Sequence, residues 1–190
     1  VSVNTEADAK VTLIDMEGKA IGEASGANTE IAVSNPVTWN AEKPYVYTVK
    51  LEKDGEIIEI ETGFCDIKVS ATYQLLINGK SVKLHGVNHH DTHPTNGWCE
   101  TNEELESELK LMKELNINCI RTSHYPPTPR FIEMCDEMGF YVIDEADIET
   151  HGFVCRDFNN GYGSDDFEWV VSHPEWKSAM LERVTRMAHR

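Results

Sequence analysis

The chain opens on short β-rich runs in which apolar and polar positions alternate, over 10–14, 29–33, 45–50 and 57–61. Turn chemistry separates them at Glu17-Gly18, Ser25-Gly26, Asn35-Pro36 and Asp54-Gly55. The Asp54-Gly55 pair is the strongest of these signals, because it tolerates the two positive φ angles of a type I′ hairpin turn. This pattern predicts a small, N-terminally incomplete antiparallel sandwich over residues 1–72.

From residue 74 the period changes. Gln74-Leu75-Leu76-Ile77 runs through an Asn78-Gly79 turn into Val82-Lys83-Leu84-His85-Gly86-Val87, and strand-like and helix-like stretches then alternate. A helix over 101–115 is announced by a capping box, Thr101 with Glu104, and by Leu105, Leu109, Met112 and Leu115 on one face. After a strand at 117–120, Thr128 and Pro129 open a second helix with Phe131, Cys135 and Met138 on one face and Gly139 as its stop. A third strand follows at 140–143, and a last helix starts near Pro174 with Trp176, Met180, Val184 and Met187 aligned.

Three strand-and-helix units over 73–190 suit the first part of a (β/α)8 TIM barrel, which needs eight units and about 250 residues. A doubly wound sheet would show the same alternation. It also calls for a glycine-rich phosphate turn, and Gly86-Val87-Asn88-His89 lacks the second and third glycines. A barrel left open would expose apolar surface around Leu84, Ile120 and Val142.

Charge narrows the partners. A formal net charge of −16, from 33 acidic against 17 basic side chains, argues against nucleic acid and anionic membranes. No apolar run approaches the roughly 20 residues of a membrane span. The five cysteines never form a C-x-x-C pair, which points to a reducing cytoplasm, with Cys119 and Cys135 as small buried hydrophobes.

In a barrel enzyme the chemistry gathers where strands end. Here those ends read Asn88-His89-His90-Asp91-Thr92-His93, Arg121-Thr122-Ser123-His124-Tyr125 and Asp144-Glu145-Ala146-Asp147-Ile148-Glu149-Thr150-His151. His85, His173 and His189 fall outside this pattern and are given structural places. Two chemistries fit. A metallohydrolase would bind zinc through imidazoles such as His90 and His93, although their spacing is mediocre. A sugar site would use neutral imidazoles toward hydroxyls, Trp98 or Tyr125 against a ring face, and Glu149 with His151 around a hard cation such as Mg²⁺.

Three motifs, with a fourth pattern upstream, carry a resemblance. Asn118-Cys119-Ile120-Arg121-Thr122-Ser123-His124-Tyr125-Pro126 is similar to a signature of the family 2 glycoside hydrolases. Gly86-Val87-Asn88-His89-His90-Asp91-Thr92-His93-Pro94 and the stretch from Asp144 through Ile148-Glu149-Thr150-His151-Gly152 resemble the β-galactosidase branch of that family. Upstream, Pro36, Trp39, Glu42, Pro44, Tyr45 and Tyr47 are spaced as in the family's immunoglobulin-like domain.

The resemblance implies a retaining hydrolase of terminal β-galactosides such as lactose, in which His90 and His124 bind galactose hydroxyls and Glu149 and His151 ligate Mg²⁺. It implies no catalytic carboxylate among these residues, because the acid/base and the nucleophile, both glutamates, are expected beyond Arg190. Na⁺ is possible in the parent enzyme, which is expected to be a homo-oligomer, and the remainder of the parent chain or a complementing chain is the expected partner. His89 stands where many relatives carry arginine, and Asp147 where some carry asparagine. The rival reading is a non-catalytic complementing subunit or sugar-binding module.

Overall fold

The computed structural model describes residues 1–150, 171 and 173–189. Its first sheet is antiparallel, with β1 (Ser2–Ile14), β2 (Ala20–Glu30), β3 (Tyr47–Lys53) and β4 (Glu56–Thr62) in the order β2-β1-β3-β4. Among the described residues the expected sandwich is thus represented by one four-stranded sheet. Val11, Leu13, Ile31, Tyr47 and Val49 form its core, whereas Ile57, Ile58 and Ile60 on the edge strand stay exposed.

Two turns follow from their residues. At the β1–β2 connection the Asp15 carboxylate accepts the N–H groups of Glu17 and Lys19 at 3.1 and 2.8 Å, an Asx-type turn. Asp54 and Gly55 take φ of 50° and 86° and join Lys53 to Glu56 as a two-residue hairpin.

Ser25-Gly26 is not a turn. It lies inside β2, at a bulge where the pairing steps from Asn4↔Asn28 to Ala9↔Gly26. Of the strand expected at 29–33, only Thr29 and Glu30 are strand, as the tail of a longer β2 whose polar, small-residue sequence is held in place by pairing with β1.

A second small sheet, β5 (Ile67–Val69), β6 (Leu75–Ile77) and β7 (Lys80–Ser81), turns at Asn78-Gly79. Beyond the turn, Lys80 and Ser81 pair with β6 and Val82 N–H donates to the Leu75 carbonyl at 3.0 Å, and residues 86–89 go to a third sheet instead of extending the hairpin.

That third sheet is parallel. β8 (Gly86–His89), β9 (Cys119–Thr122) and β10 (Tyr141–Ile143) lie in the order β10-β9-β8 and alternate with α1 (Asn102–Glu114), α2 (Pro129–Met138) and, beyond β10, α3 (Glu175–Ala188). The capping box forms as expected: the Glu104 N–H donates to Thr101 Oγ1 at 3.3 Å and the Thr101 N–H to Glu104 Oε2 at 2.8 Å. Thr128 precedes α2 without making a side-chain cap, so Pro129 carries that helix start. Leu105, Leu109, Ile120, Phe131, Cys135 and Phe140 meet in the core between helices and sheet. Ile120 is thus fully buried rather than exposed, and Leu115 lies outside that core, 63% exposed at the C-cap of α1. Cys119 and Cys135 are buried as expected, and burial pushes both thiols up.

The loop carrying Trp39 clamps the first sheet to the second half. Trp39 Nε1 donates to the Asp136 carbonyl at 2.8 Å, and its ring meets Tyr141 edge-on at 5.6 Å. Asn78 donates to the Trp39 carbonyl at 2.9 Å. Lys113 Nζ donates to the carbonyls of Ala41 and Gly139 at 3.1 and 2.9 Å and lies 4.8 Å from the centre of the Phe140 ring.

A single ammonium thus ties α1, the end of α2 and the clamp loop together. Replacing Lys113 by Met keeps the aliphatic stem and removes both bonds. The expected cost is about 1.5–3 kcal/mol, the range for hydrogen bonds made by charged groups. It is read as a lower urea midpoint at unchanged m-value, and an unchanged midpoint would refute the role.

Candidate active site

Parallel pairing sets Gly86, Cys119 and Tyr141 side by side, so the three strands end on one edge and their following loops converge there. His90 and His124 come together, ring centres 5.4 Å apart and nearly perpendicular. Tyr125 lies beside His90, its hydroxyl 3.2 Å from Nδ1, and Trp98 packs at 5.7 Å from Tyr125. Burial raises the Tyr125 pKa, so the phenol stays protonated. Donation from that hydroxyl to Nδ1 leaves the His90 Nε2–H for another acceptor. Trp98 is 70% exposed, which makes the strand edge an open shelf of aromatic and imidazole groups.

Behind His124 stands Glu145. Its carboxylate accepts from His124 Nδ1 at 2.9 Å and pairs with Arg121 Nε at 2.5 Å. Arg121 also donates to Asn88 on the neighbouring strand at 3.3 Å. An Arg121 nitrogen lies 3.2 Å from the same His124 Nδ1. One nitrogen cannot donate to a carboxylate and accept from a guanidinium, and the shorter contact to Glu145 decides that Nδ1 carries the proton. His124 first, then Arg121, holds the Glu145 carboxyl below its ordinary range.

Thr122 closes the frame between β9 and β10. Its hydroxyl donates to Asp144 at 3.2 Å and accepts the Glu145 N–H at 2.9 Å. Sequence reasoning assigned Asp144 and Glu145 no more than a strand-end role. The Arg121-x-x-His124 spacing, which brings both donors to one carboxylate, was the available signal for Glu145.

The remaining candidates spread out. Strand alternation turns His89 away from His90 and into the helix layer, where it is buried. His93 is held by its own loop: Nδ1 takes the N–H groups of Thr95 and Asn96, each at 3.3 Å, and Nε2 lies 3.1 Å from Glu104. Both its ring nitrogens are engaged locally, so the structure does not support a zinc pair of His90 and His93. Asp147 is held by Arg183 of α3. Glu149 is exposed beyond β10, and His151 lies outside the described residues. The one Asn-Glu pair in the sequence, Asn102-Glu103, sits in the first turn of α1 and not at a strand end.

A four-stranded antiparallel sheet leading into a parallel β/α unit, with aromatic and imidazole groups where its strands end, is the arrangement expected at the start of a barrel enzyme. Residues 67–190 match the family described as "Glycosyl hydrolases family 2, TIM barrel domain", and residues 1–64 match "Glycosyl hydrolases family 2". The chain belongs to the family 2 glycosyl hydrolases.

Among curated relatives, a β-galactosidase of Staphylococcus xylosus is 39% identical over 176 residues, covering 90% of this chain and 17% of that protein. One from Lactococcus lactis is 40% identical over 175 residues, covering 90% of this chain and 16% of that protein. The chain therefore spans about a sixth of the length of these relatives. Solved structures with the same fold include a β-glucuronidase of Faecalibacterium prausnitzii, with a TM-score of 0.69 at 27% identity over 76% of this chain and 27% of that one. Another, the β-D-glucuronidase of Dictyoglomus thermophilum, has a TM-score of 0.68 at 30% identity over 74% of this chain and 25% of that one. No helix among the described residues is long and apolar enough to cross a membrane.

Proposed function

We propose that this chain supplies the sugar-binding edge of a retaining β-galactosidase. In that reading His90 and His124 hold hydroxyls of a terminal β-galactosyl unit, and Tyr125 and Trp98 line the approach. The observation that carries it is the His90–His124 pair, with His124 fixed through Nδ1 by Glu145 and His90 through Nδ1 by Tyr125. Each ring is left with one nitrogen for a hydroxyl, and donors held in place before the reaction favour a transition state whose hydroxyls bind more tightly than the ground state's.

Charge favours a neutral sugar over a uronate. Asp91, Asp144, Glu145, Asp147 and Glu149 surround these strand ends, while Arg121 is committed to Glu145 and Arg183 to Asp147. A substrate carboxylate would meet that negative field without a free cation from either arginine.

Glu149 and His151 would hold Mg²⁺. A carboxylate oxygen is the donor this hard ion prefers, and the exposed Glu149 presents one just beyond β10. When bound, the ion would supply a fixed positive charge held by Glu149, while Asp91 and Asp144 keep the strand ends around His90 and His124 acidic.

The test is the ratio of kcat/KM for p-nitrophenyl β-galactoside and β-glucuronide in the protein that carries this segment with a complete barrel. The galactoside is expected to lead by at least about 10²-fold, since like-charge juxtaposition costs several kcal/mol. Equal or better turnover of the glucuronide overturns the reading. The 190 residues alone are expected to hydrolyse neither substrate, because Glu145 is engaged by Arg121 and His124 and Asn102-Glu103 opens a helix.

A further inference from the structure

On the face of β8 opposite His90, His89 enters the helix layer with its side chain 1% exposed, stacked on Phe131 at 4.4 Å with the rings 9° from parallel. Its Nε2 lies 3.0 Å from Asp91 Oδ1. A carboxylate accepts only, so Nε2 carries the proton and Nδ1 presents a lone pair in the neutral ring.

That lone pair faces two acids. Glu108 Oε2, from α1, is 3.4 Å from Nδ1, and one ligand atom from each of His89, Glu100 and Glu108 falls within a span of 4.8 Å. His89 Nδ1, Glu100 Oε2 and Glu108 Oε2 are all buried atoms without a hydrogen-bond partner. Buried acceptors gathered this closely call for a positive charge or a proton among them.

Burial opposes a proton on Nδ1 while Glu108 and Asp91 favour it, and the geometry serves such a proton poorly. Charge-assisted N–H···O contacts run to about 2.7–2.9 Å, well short of the observed separation, and one proton would still leave Glu100 without a partner. A tetrahedral divalent ion fits better. Ligand atoms each about 2.0–2.1 Å from zinc lie about 3.3 Å from one another, close to the Nδ1–Glu108 distance.

The surroundings are those of a metal-binding histidine. Asp91 fixes the tautomer and strengthens Nδ1 as a donor, and Phe131 fixes the ring plane. One imidazole nitrogen with two carboxylates suits a borderline first-row ion such as Zn²⁺ over all-oxygen Mg²⁺ or Ca²⁺.

We propose that His89, Glu100 and Glu108 form a zinc-class metal site with Asp91 orienting the histidine, which fastens the end of β8 and its following loop to α1. The site lies on the helix side of the sheet and is independent of the proposed sugar and Mg²⁺ sites.

Co²⁺ titrated into the full chain reports the site by visible absorption. One equivalent is expected to give the bands of a four-coordinate ion, displaced by Zn²⁺. The bands are expected to vanish in Glu108→Gln and His89→Gln, to persist in Glu149→Gln, and to need about 10–100-fold more metal in Asp91→Asn. Glu108 is partly exposed on its helix and the amide is isosteric, so that variant reads the site even if His89→Gln does not fold. Absence of the bands, or bands that survive both Glu108→Gln and Glu100→Gln, overturns the proposal and leaves a protonated imidazole between the acids.

Discussion

His124→Ala is expected to lower kcat/KM on a β-galactoside by about 10²–10³-fold in the protein that carries this segment with a complete barrel, the range found when one preorganised donor is removed. The size of the effect rests on how firmly the ring is held. Glu145 takes the Nδ1 proton at 2.9 Å, is paired with Arg121 at 2.5 Å, and has its own backbone N–H bound by Thr122 at 2.9 Å. Little reorganisation remains when a hydroxyl meets the other nitrogen. The loss is expected in kcat as well as KM, because the proposed role is a hydroxyl contact that strengthens in the transition state. An His124→Ala enzyme within about threefold of wild type would remove His124 from the site.

Glu145→Gln separates positioning from contact. The amide keeps the shape but loses the charge that His124 and Arg121 share, so an intermediate loss of about 10-fold is expected, in keeping with one weakened charge-assisted bond. The pH dependence has a defined sign. The Glu145 carboxyl is held below the 4.5 of a free glutamate, so its contribution is fully present above 4.5 and is lost as the pH falls through the lowered value. The wild-type acid limb should include this step and Glu145→Gln should lack it, which a purely structural role at the strand end would not produce.

Local chemistry made some of this legible from residues alone. Asp54-Gly55, Asn78-Gly79 and the Thr101/Glu104 box each satisfy their geometry within a few residues, and each forms as expected. The polar ends of the parallel strands could be read for the same reason, since strand direction alone brings them to one edge. What needed the structure was long-range. β2 has no strong strand pattern and is templated by β1, so Gly26 looked like a turn when it sits in a bulge. His89 and His90 are neighbours in sequence, yet pleating sends one to the helices and the other to the strand edge. Glu145 acquires its role from Arg121 on β9 and His124 in the loop after it; the Arg121-x-x-His124 spacing offers two donors but does not say which carboxylate they meet.

The Trp39 loop is the clearest case of a motif whose meaning is tertiary, and Gly139 tests it. Gly139 ends α2 with φ of 84°, and a Cβ placed there would lie 2.4 Å from the Ala41 carbonyl oxygen and 3.1 Å from its carbon. Those atoms are backbone in the loop that Trp39 and Lys113 pin down, so no flexible side chain can yield. Gly139→Ala is therefore expected to destabilise the fold by about 1–2 kcal/mol for the left-handed conformation and about 1–3 kcal/mol more for overpacking. The urea midpoint reads the sum. Gly139→Asn divides it, because asparagine tolerates the left-handed region but brings the same Cβ to Ala41. If the close approach of loop and helix end dominates, asparagine will cost nearly as much as alanine. If asparagine restores most of the stability, the backbone conformation alone demands glycine, and Ala41 yields more readily than its hydrogen bonds to Lys113 and Tyr141 imply.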